Sequence, residues 1–252
     1  MTSPSHGTVP RPEQWWSGEA APWAALEPQR LEGISLDRVA AALARRGLEG
    51  VPAEPLEVDG WRAAVADGPA AAPSSRHSAV LIALFEEAGE SRVILTRRAE
   101  HLRTHSSQVS FPGGRIDPGE TPLDAALREA HEEVALDPAL ARPLGHLPSV
   151  VTMVSGSLIQ PIVVALERRP DLMANPGEVA RVFDVALADL VAFEAFSEEL
   201  WVLEGIVPGG AEGVPMWFFD VADELIWGAT GRLLVDLLST VLDLEPTRGF
   251  RV

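Results

Sequence analysis

The 252-residue chain contains no cysteine, no tyrosine and no lysine. The absence of cysteine excludes a disulfide framework, a thiolate nucleophile, a zinc ribbon held by cysteine and an iron–sulfur cluster. A long apolar run is also lacking, because the most apolar stretch, residues 150–166, is interrupted by polar residues, by a glycine and by Pro161. That stretch predicts a buried strand region and does not predict a membrane span.

Basic residues are few: 20 arginines stand against 37 acidic residues, and the formal net charge is −17. Because neutralising the phosphates of DNA or RNA needs a basic face, this balance argues against a nucleic-acid polymer as partner. A divalent cation or a small ligand suits such a chain better, and nothing predicts a membrane partner. The N-terminus shows no basic segment followed by an apolar core, so no secretory signal is visible and we expect a cytoplasmic protein.

Hydrophobic residues make up 46% of the chain, which is enough to bury a core, and clusters of proline and glycine divide it. We predict an N-terminal extension at 1–75, a catalytic domain at 76–245 and a C-terminal tail at 246–252. Within the extension, Ser35 is the predicted cap of an amphipathic helix at about 35–46, and residues 68–75 are predicted to be a linker. The tryptophans of this extension could cover the edge of a sheet or contact a partner subunit. A homodimer is therefore one alternative.

Short apolar runs alternate with turn signals beyond residue 76. Runs at 78–85 and 92–97, separated by a loop that contains glycine, predict a hairpin. Further strands are predicted near 109–111, 144–151, 158–166, 179–185, 200–206 and 216–221, and a final helix near 230–242. Strands in mixed order with few helices favour an α+β sandwich, with a mixed sheet between helices, over a doubly wound fold.

The segment 113–136 is the most informative part of the sequence. Thr121 is a good helix N-cap, Pro122 suits the first helical position, and Asp124 puts a carboxylate in the first turn. The start of a helix is therefore well specified. The glycines just before it allow a ligand to approach the backbone closely, and a helix N-terminus favours an anion.

Three carboxylates crowd one neighbourhood of this predicted helix, because Glu129, Glu132 and Glu133 stand at positions i, i+3 and i+4. Each like-charge pair at that spacing costs about 0.2–0.5 kcal/mol, so a counter-charge is expected. Hard divalent cations prefer oxygen ligands, and Arg128 can pair with Glu132 while its neighbours stay available. The segment predicts a site for a metal-bridged phosphate, and an ordinary solvated helix face is the structural alternative.

The same segment resembles the Nudix box, Gly-x5-Glu-x7-Arg-Glu-U-x-Glu-Glu-x-Gly-U, in which U is apolar. The matching positions are Gly114, Glu120, Arg128, Glu129, Ala130, Glu132, Glu133 and Leu136. Ala135 stands where the family has glycine. The resemblance implies a Nudix-type α/β/α sandwich and a hydrolase that acts on a nucleoside diphosphate linked to another moiety, using Mg²⁺ or Mn²⁺.

Residue roles follow from the same resemblance. It implies that Glu129, Glu132, Glu133 and Gly114 bind the metal, and that Arg128 and Glu120 are orienting partners in the catalytic centre, where Glu132 also acts. In this superfamily the general base lies either in the box or on a later loop. Glu178 is the loop candidate, and its alternative is an ordinary exposed glutamate.

The residues on either side of the box restrict the range of candidate substrates. Residues 94–114 resemble the signature of the coenzyme A pyrophosphatase branch, roughly Leu-Leu-Thr-x-Arg and then Leu-Arg-x-His-x-Gly-Gln-Val-x-Phe-Pro-Gly-Gly, with Ser107 in place of a glycine. Residues 226–230 resemble the Ile-Trp-Gly-x-Thr segment that opens the last helix in that branch. The substrate implied is coenzyme A or a derivative, cleaved to 3′,5′-ADP and 4′-phosphopantetheine.

Coenzyme A carries a 3′-phosphate besides its diphosphate, and four residues before the box are candidates to bind such groups: Arg97, Arg103, His105 and Gln108. A surface salt-bridge network or a role in shaping the loop is their structural alternative. Two other functions stay open. One is hydrolysis of a different substrate, such as ADP-ribose, a dinucleotide or an oxidised nucleoside triphosphate. The other is nucleotide binding without catalysis.

Overall fold

The structure is a computed structural model that describes residues 9–56, 76–99, 101, 108–152, 157–204 and 210–245. The predicted linker and C-terminal tail lie outside these residues. No helix within the described ranges is long and apolar enough to cross a membrane.

Strands outnumber helices along the described chain. The first half comprises β1 (Trp15–Ser17), α1 (Pro28–Leu31), α2 (Leu36–Arg45), β2 (Arg76–Glu87), β3 (Glu90–Arg98), β4 (Val109–Ser110), β5 (Gly113–Arg115) and α3 (Pro122–Val134). After a 3-10 turn (Pro138–Leu140) come β6 (Ala141–His146), β7 (Val150–Val151), β8 (Ser157–Leu166), β9 (Val179–Ala186) and α4 (Leu187–Leu190). The last elements are β10 (Phe196–Trp201), a 3-10 turn (Gly210–Glu212), β11 (Val214–Val221), β12 (Glu224–Ile226) and α5 (Gly228–Val241).

The central sheet is mixed, as predicted. β2 and β8 run parallel, from Arg76 opposite Ser157 to Leu84 opposite Ala165. β3 continues from β2 as an antiparallel hairpin and pairs on its other edge with β9, while β5 pairs with the start of β2. A second sheet of order β1-β10-β11-β12 is antiparallel throughout.

Helices cover both faces of the central sheet because alternate residues of β2 point to opposite sides. Leu81 and Phe85 pack with Ala126 and Ala130 of α3 in one hydrophobic core. Ile82 and its alternate neighbours pack in a second core with α2 and α5. The prediction of an α+β fold with a mixed sheet between helices is confirmed.

The N-terminal residues pack against the rest of the chain. Ser35 caps α2 as predicted, since its hydroxyl accepts from the Arg38 backbone N–H at 3.2 Å. Trp23 is buried in the core beside α5, and its indole N–H donates to the Val191 carbonyl at 3.1 Å. The β1 strand extends the second sheet by pairing with β10.

Several boundaries differ from the sequence prediction. The strand expected at 200–206 lies earlier, at Phe196–Trp201, and the last helix begins at Gly228. The prediction omitted β1, β5 and β12, each of three residues. Strands this short contain too few residues for a period of two to be visible, so their pairing partners define them.

Candidate active site

The helix that carries the acidic residues starts at a fixed point. Thr121 and Asp124 form a capping box: the Thr121 hydroxyl accepts from the Asp124 N–H at 3.1 Å, and the Asp124 carboxylate accepts from the Thr121 N–H at 3.4 Å. Pro122 occupies the first turn. Because this cap fixes the start of α3, it also fixes the turn on which each glutamate lies.

Arg128 is the centre of an ion-pair cluster. Its Nε and Nη2 donate to the two oxygens of Glu120 at 2.8 and 3.1 Å, and its Nη1 donates to Glu129 Oε1 at 2.9 Å. The same Nη1 lies 3.5 Å from Glu132 Oε2. Hydrogen bonds from Arg128 and from the Asp117 backbone N–H hold the pKa of Glu120 below its ordinary value. Arg128 thus contacts three carboxylates, those of Glu120, Glu129 and Glu132.

The glycine segment of β5 lies directly against the acidic helix. Glu133 Oε2 accepts from the Gly113 backbone N–H at 3.2 Å. Gly114 is so close to Glu129 that an added Cβ would come within 2.4 Å of the Glu129 carboxyl group. The structure therefore brings Gly114, Glu120, Arg128, Glu129, Glu132 and Glu133 together at one place.

The carboxyl group of Glu133 has an unusual environment. Only 3% of the surface of Glu133 is exposed to solvent. Burial raises its pKa to about 7, against the opposing effects of the Gly113 hydrogen bond and Arg98, and the negative charges of Glu129 and Glu178 raise it further. Glu129 and Glu178 are thus both close enough to act on the Glu133 carboxyl group.

The part of the chain that contains this site matches a known protein family. A family model described as the NUDIX domain matches residues 75–201. The chain belongs to the Nudix family. "Nudix hydrolase 3" of Caenorhabditis elegans is 41% identical over 115 residues, which cover 44% of this chain and 48% of that protein. The chain thus spans about half the length of the nematode relative.

Bacterial relatives match a larger part of the chain. The protein named "Uncharacterized Nudix hydrolase NudL" of Photorhabdus laumondii is 34% identical over 169 residues, which cover 67% of this chain and 86% of that protein. Among solved structures, a MutT/nudix family protein from Enterococcus faecalis has a TM-score of 0.46 at 14% identity, covering 68% of this chain and 64% of its own.

The acidic residues of this Nudix domain fit a divalent cation of the Mg²⁺ type. Within the described ranges, no cage of three or more aspartate, glutamate or histidine side chains is arranged so that it could hold a metal ion. Mg²⁺ does not need such a cage, because it commonly binds one or two carboxylates together with water and substrate phosphates. Glu129, Glu132 and Glu133 are hard oxygen ligands held within one turn of helix, and they suit that mode.

Glu178 lies on a loop that is hydrogen-bonded to the last turn of α3. The Asn175 backbone N–H donates to the Glu133 carbonyl at 2.8 Å, and the Asn175 amide nitrogen lies 3.4 Å from the Glu132 carbonyl. The Asn175 side-chain oxygen also accepts from the Gly177 N–H at 3.1 Å. Sequence reasoning missed Asn175, and no motif quoted for the family marks it.

The structure separates the two consecutive arginines at the end of β3. Arg97 donates to Glu224 Oε1 at 3.0 Å, whereas Arg98 reaches Glu133 Oε1 at 3.8 Å. Sequence reasoning selected Arg97 as a substrate contact, although the quoted motif Leu-Leu-Thr-x-Arg places its arginine at Arg98. Gln108 accepts from the Arg98 backbone N–H through its carbonyl at 3.0 Å. Arg103 and His105 lie outside the described residues.

Proposed function

We propose that the protein is a divalent-metal-dependent pyrophosphohydrolase of nucleoside diphosphate derivatives, and that its substrate is coenzyme A or a coenzyme A derivative. The observation that supports the catalytic part is that Glu129 and Glu133 lie against the glycine segment, while Arg128 pairs with Glu129 and with the neighbouring Glu132. The substrate part is supported by the sequence resemblance of residues 94–114 and 226–230 to the coenzyme A pyrophosphatase branch.

Glu129, Glu132 and Glu133 would hold Mg²⁺ or Mn²⁺. When bound, such a cation neutralises the diphosphate, polarises phosphorus and lowers the pKa of a water molecule. The protein's own contribution is positioning. Arg128 holds Glu129 and Glu132 in place before substrate arrives, so that little reorganisation of these two carboxylates is needed during the reaction.

Proton transfer is assigned to Glu178. Its loop is held on the last turn of α3 by Asn175, and its negative charge acts on Glu133. In this proposal Glu178 accepts a proton from the attacking water, and the water oxygen forms a bond to phosphorus as the diphosphate P–O bond breaks. The products from coenzyme A are 3′,5′-ADP and 4′-phosphopantetheine.

A hydrolysis panel tests the proposal. Coenzyme A, ADP-ribose, NADH and nucleoside triphosphates are incubated with Mg²⁺ and, separately, with Mn²⁺, and the products are identified by mass. We expect 4′-phosphopantetheine among the products and the highest kcat/KM for coenzyme A. A higher kcat/KM for another diphosphate would agree with the proposed hydrolysis but would contradict coenzyme A as the substrate. If no compound is turned over, nucleotide binding without catalysis is favoured.

A further inference from the structure

The loop that carries Glu178 is attached to the rest of the domain on two sides. On one side, Asn175 hydrogen-bonds to the last turn of α3. On the other side, the loop lies against the residues that follow β3. The Ala99 backbone N–H donates to the Glu178 carbonyl at 2.9 Å, and His101 Nε2 lies 3.1 Å from the Gly177 carbonyl oxygen. The second attachment therefore involves the proposed base and the residue directly before it.

A β-bulge determines where this second attachment lies. The ladder between β3 and β9 shifts its register, so that Val179 is opposite Arg98 and one residue of β9 has no opposite residue. Val179 and Val182 consequently both pack in the hydrophobic core with α3, although residues three apart in a regular strand face opposite sides. Bulges often occur beside active sites, where they redirect a side chain or end a ladder. This bulge brings the Glu178 carbonyl to Ala99.

The His101 side chain is suited to hold this loop. A carbonyl oxygen can only accept a hydrogen bond, so the Nε2 atom of His101 carries a proton and donates to Gly177. The bond is exposed, and a single hydrogen bond of this kind changes the population of one loop arrangement about two- to tenfold. His101 lies between the two parts of the coenzyme A signature, Leu-Leu-Thr-x-Arg and Leu-Arg-x-His, and belongs to neither.

The position of Glu178 relative to the acidic centre depends on both attachments. The Asn175 backbone N–H donates to the Glu133 carbonyl at 2.8 Å, and Arg98, the residue before Ala99, lies 3.8 Å from Glu133 Oε1. Glu178 is close enough for its charge to act on the Glu133 carboxyl group. The loop thus connects the last turn of α3 with the end of β3, and the loss of either attachment allows Glu178 to move relative to Glu133.

We propose that His101 is a positioning residue, whose hydrogen bond to Gly177 holds Glu178 where it accepts the proton of the attacking water. This inference rests on the proposed function, because His101 acts through the base that the reaction assigns to Glu178. His101 itself contacts neither the diphosphate nor the metal. Because its bond sets the geometry of proton transfer and not the binding of substrate, its loss lowers kcat and leaves KM nearly unchanged.

Steady-state kinetics of matched variants test this role, with the diphosphate that has the highest kcat/KM in the hydrolysis panel. We expect H101A to lower kcat about three- to tenfold with little change in KM. H101Q keeps an N–H donor and should recover most of kcat. His146 supplies the control, because its Nδ1 lies 3.3 Å from the Gly50 carbonyl oxygen, at the other edge of the central sheet. H146A should keep the wild-type kcat, and urea denaturation checks the folding of each variant.

The variant E178Q separates this inference from the proposed function. Because E178Q lacks the base, adding H101A to it should change kcat less than about twofold. An unchanged kcat in H101A, an equal loss in H101Q, or the same loss from H101A with and without Glu178 overturns the positioning role alone. Wild-type kcat in the single variant E178Q would instead contradict Glu178 as the base, and the role of His101 would fail with it.

Discussion

The Glu129 carboxylate fills the space beside Gly114 that any side chain would need. A Cβ at position 114 would lie 2.4 Å from the carboxyl carbon and from Oε1 of Glu129. The contact atoms are the far end of a flexible side chain, so the fold can tolerate an added methyl group by moving Glu129. The glycine is therefore required by the position of a carboxylate and not by backbone strain.

Replacing Gly114 with alanine tests this relationship. We expect G114A to fold normally, because Glu129 can rotate away, but to lose about tenfold to a hundredfold in kcat/KM, because a displacement of about 1 Å in a reacting site has that cost. Steady-state kinetics measure the loss, and urea denaturation measures the free energy of unfolding. Full activity in G114A would contradict the placement of Glu129 in the site.

Ala135 is expected to be a point of backbone strain. It ends α3 in the left-handed conformation with φ of 57°, which costs a residue with a Cβ about 1–2 kcal/mol. Glycine at this position removes the strain but gives the unfolded chain more freedom, a loss of about 0.4–1 kcal/mol. We expect A135G to raise the free energy of unfolding by about 0.5–1 kcal/mol.

Chemical denaturation measures this gain, and Ala41 in the interior of α2 supplies a matched control. Because glycine in a helix interior is about 1 kcal/mol less favourable than alanine, A41G is expected to lower the free energy of unfolding. Destabilisation of both variants by a similar amount would show that Ala135 is not strained.

The contact between the N-terminal segment and the second sheet is expected to depend on pH. Arg11 Nε donates to both oxygens of Glu199 at 2.9 Å, and Trp201 Nε1 donates to one of them at 2.7 Å. Burial raises the pKa of Glu199, but these two hydrogen bonds outweigh burial and hold the pKa below its ordinary value. A group with a lowered folded pKa stabilises the protein above its unfolded pKa and stops doing so as the pH falls through the folded value.

We expect R11Q to lose about 1–3 kcal/mol of stability at pH 7, since a buried carboxylate loses a charged donor. The difference between wild type and R11Q should shrink as the pH falls below about 4, the ordinary range of carboxyl groups. Urea denaturation at several pH values measures it. A difference independent of pH would assign the effect of Arg11 to its ring contacts with Trp15 and Phe218.

Asn175 is predicted to position the loop that carries Glu178. N175A removes the bond to the Gly177 N–H and the contact with the Glu132 carbonyl, while the backbone bond to Glu133 remains. We expect kcat to fall about tenfold while the free energy of unfolding changes by about 1 kcal/mol or less. N175D keeps the acceptor for Gly177 and should recover most of kcat; equal losses in N175A and N175D would contradict the role of that bond.

Local signals were sufficient for the elements that frame the site. Thr121, Pro122 and Asp124 each prefer a particular helix position, and the structure places all three there. The apolar runs of β2 and β3 around a loop with glycine predicted the hairpin that is observed. These features depend on neighbours in sequence, and a single sequence contains that information.

Features that depend on distant partners could not be predicted in this way. Arg97 and Arg98 are chemically identical residues. Because β12 and α3 pack on opposite sides of β3, Arg97 forms an ion pair with Glu224 and Arg98 forms one with Glu133. Asn175 was missed for the same reason, since its partners lie on α3, about forty positions earlier. The position of β10 was misjudged because its ladder with β11 determines its ends.

Turnover of coenzyme A by E132Q shows most directly whether the acidic face of α3 is a catalytic metal site. Glu132 has 54% of its side-chain surface exposed, so the change should leave folding intact, and the exposed Glu167 supplies the control E167Q. We expect a loss in kcat of about a hundredfold or more and weaker Mn²⁺ binding in E132Q, and no change in E167Q. Wild-type turnover in a folded E132Q protein would contradict a catalytic metal site on α3.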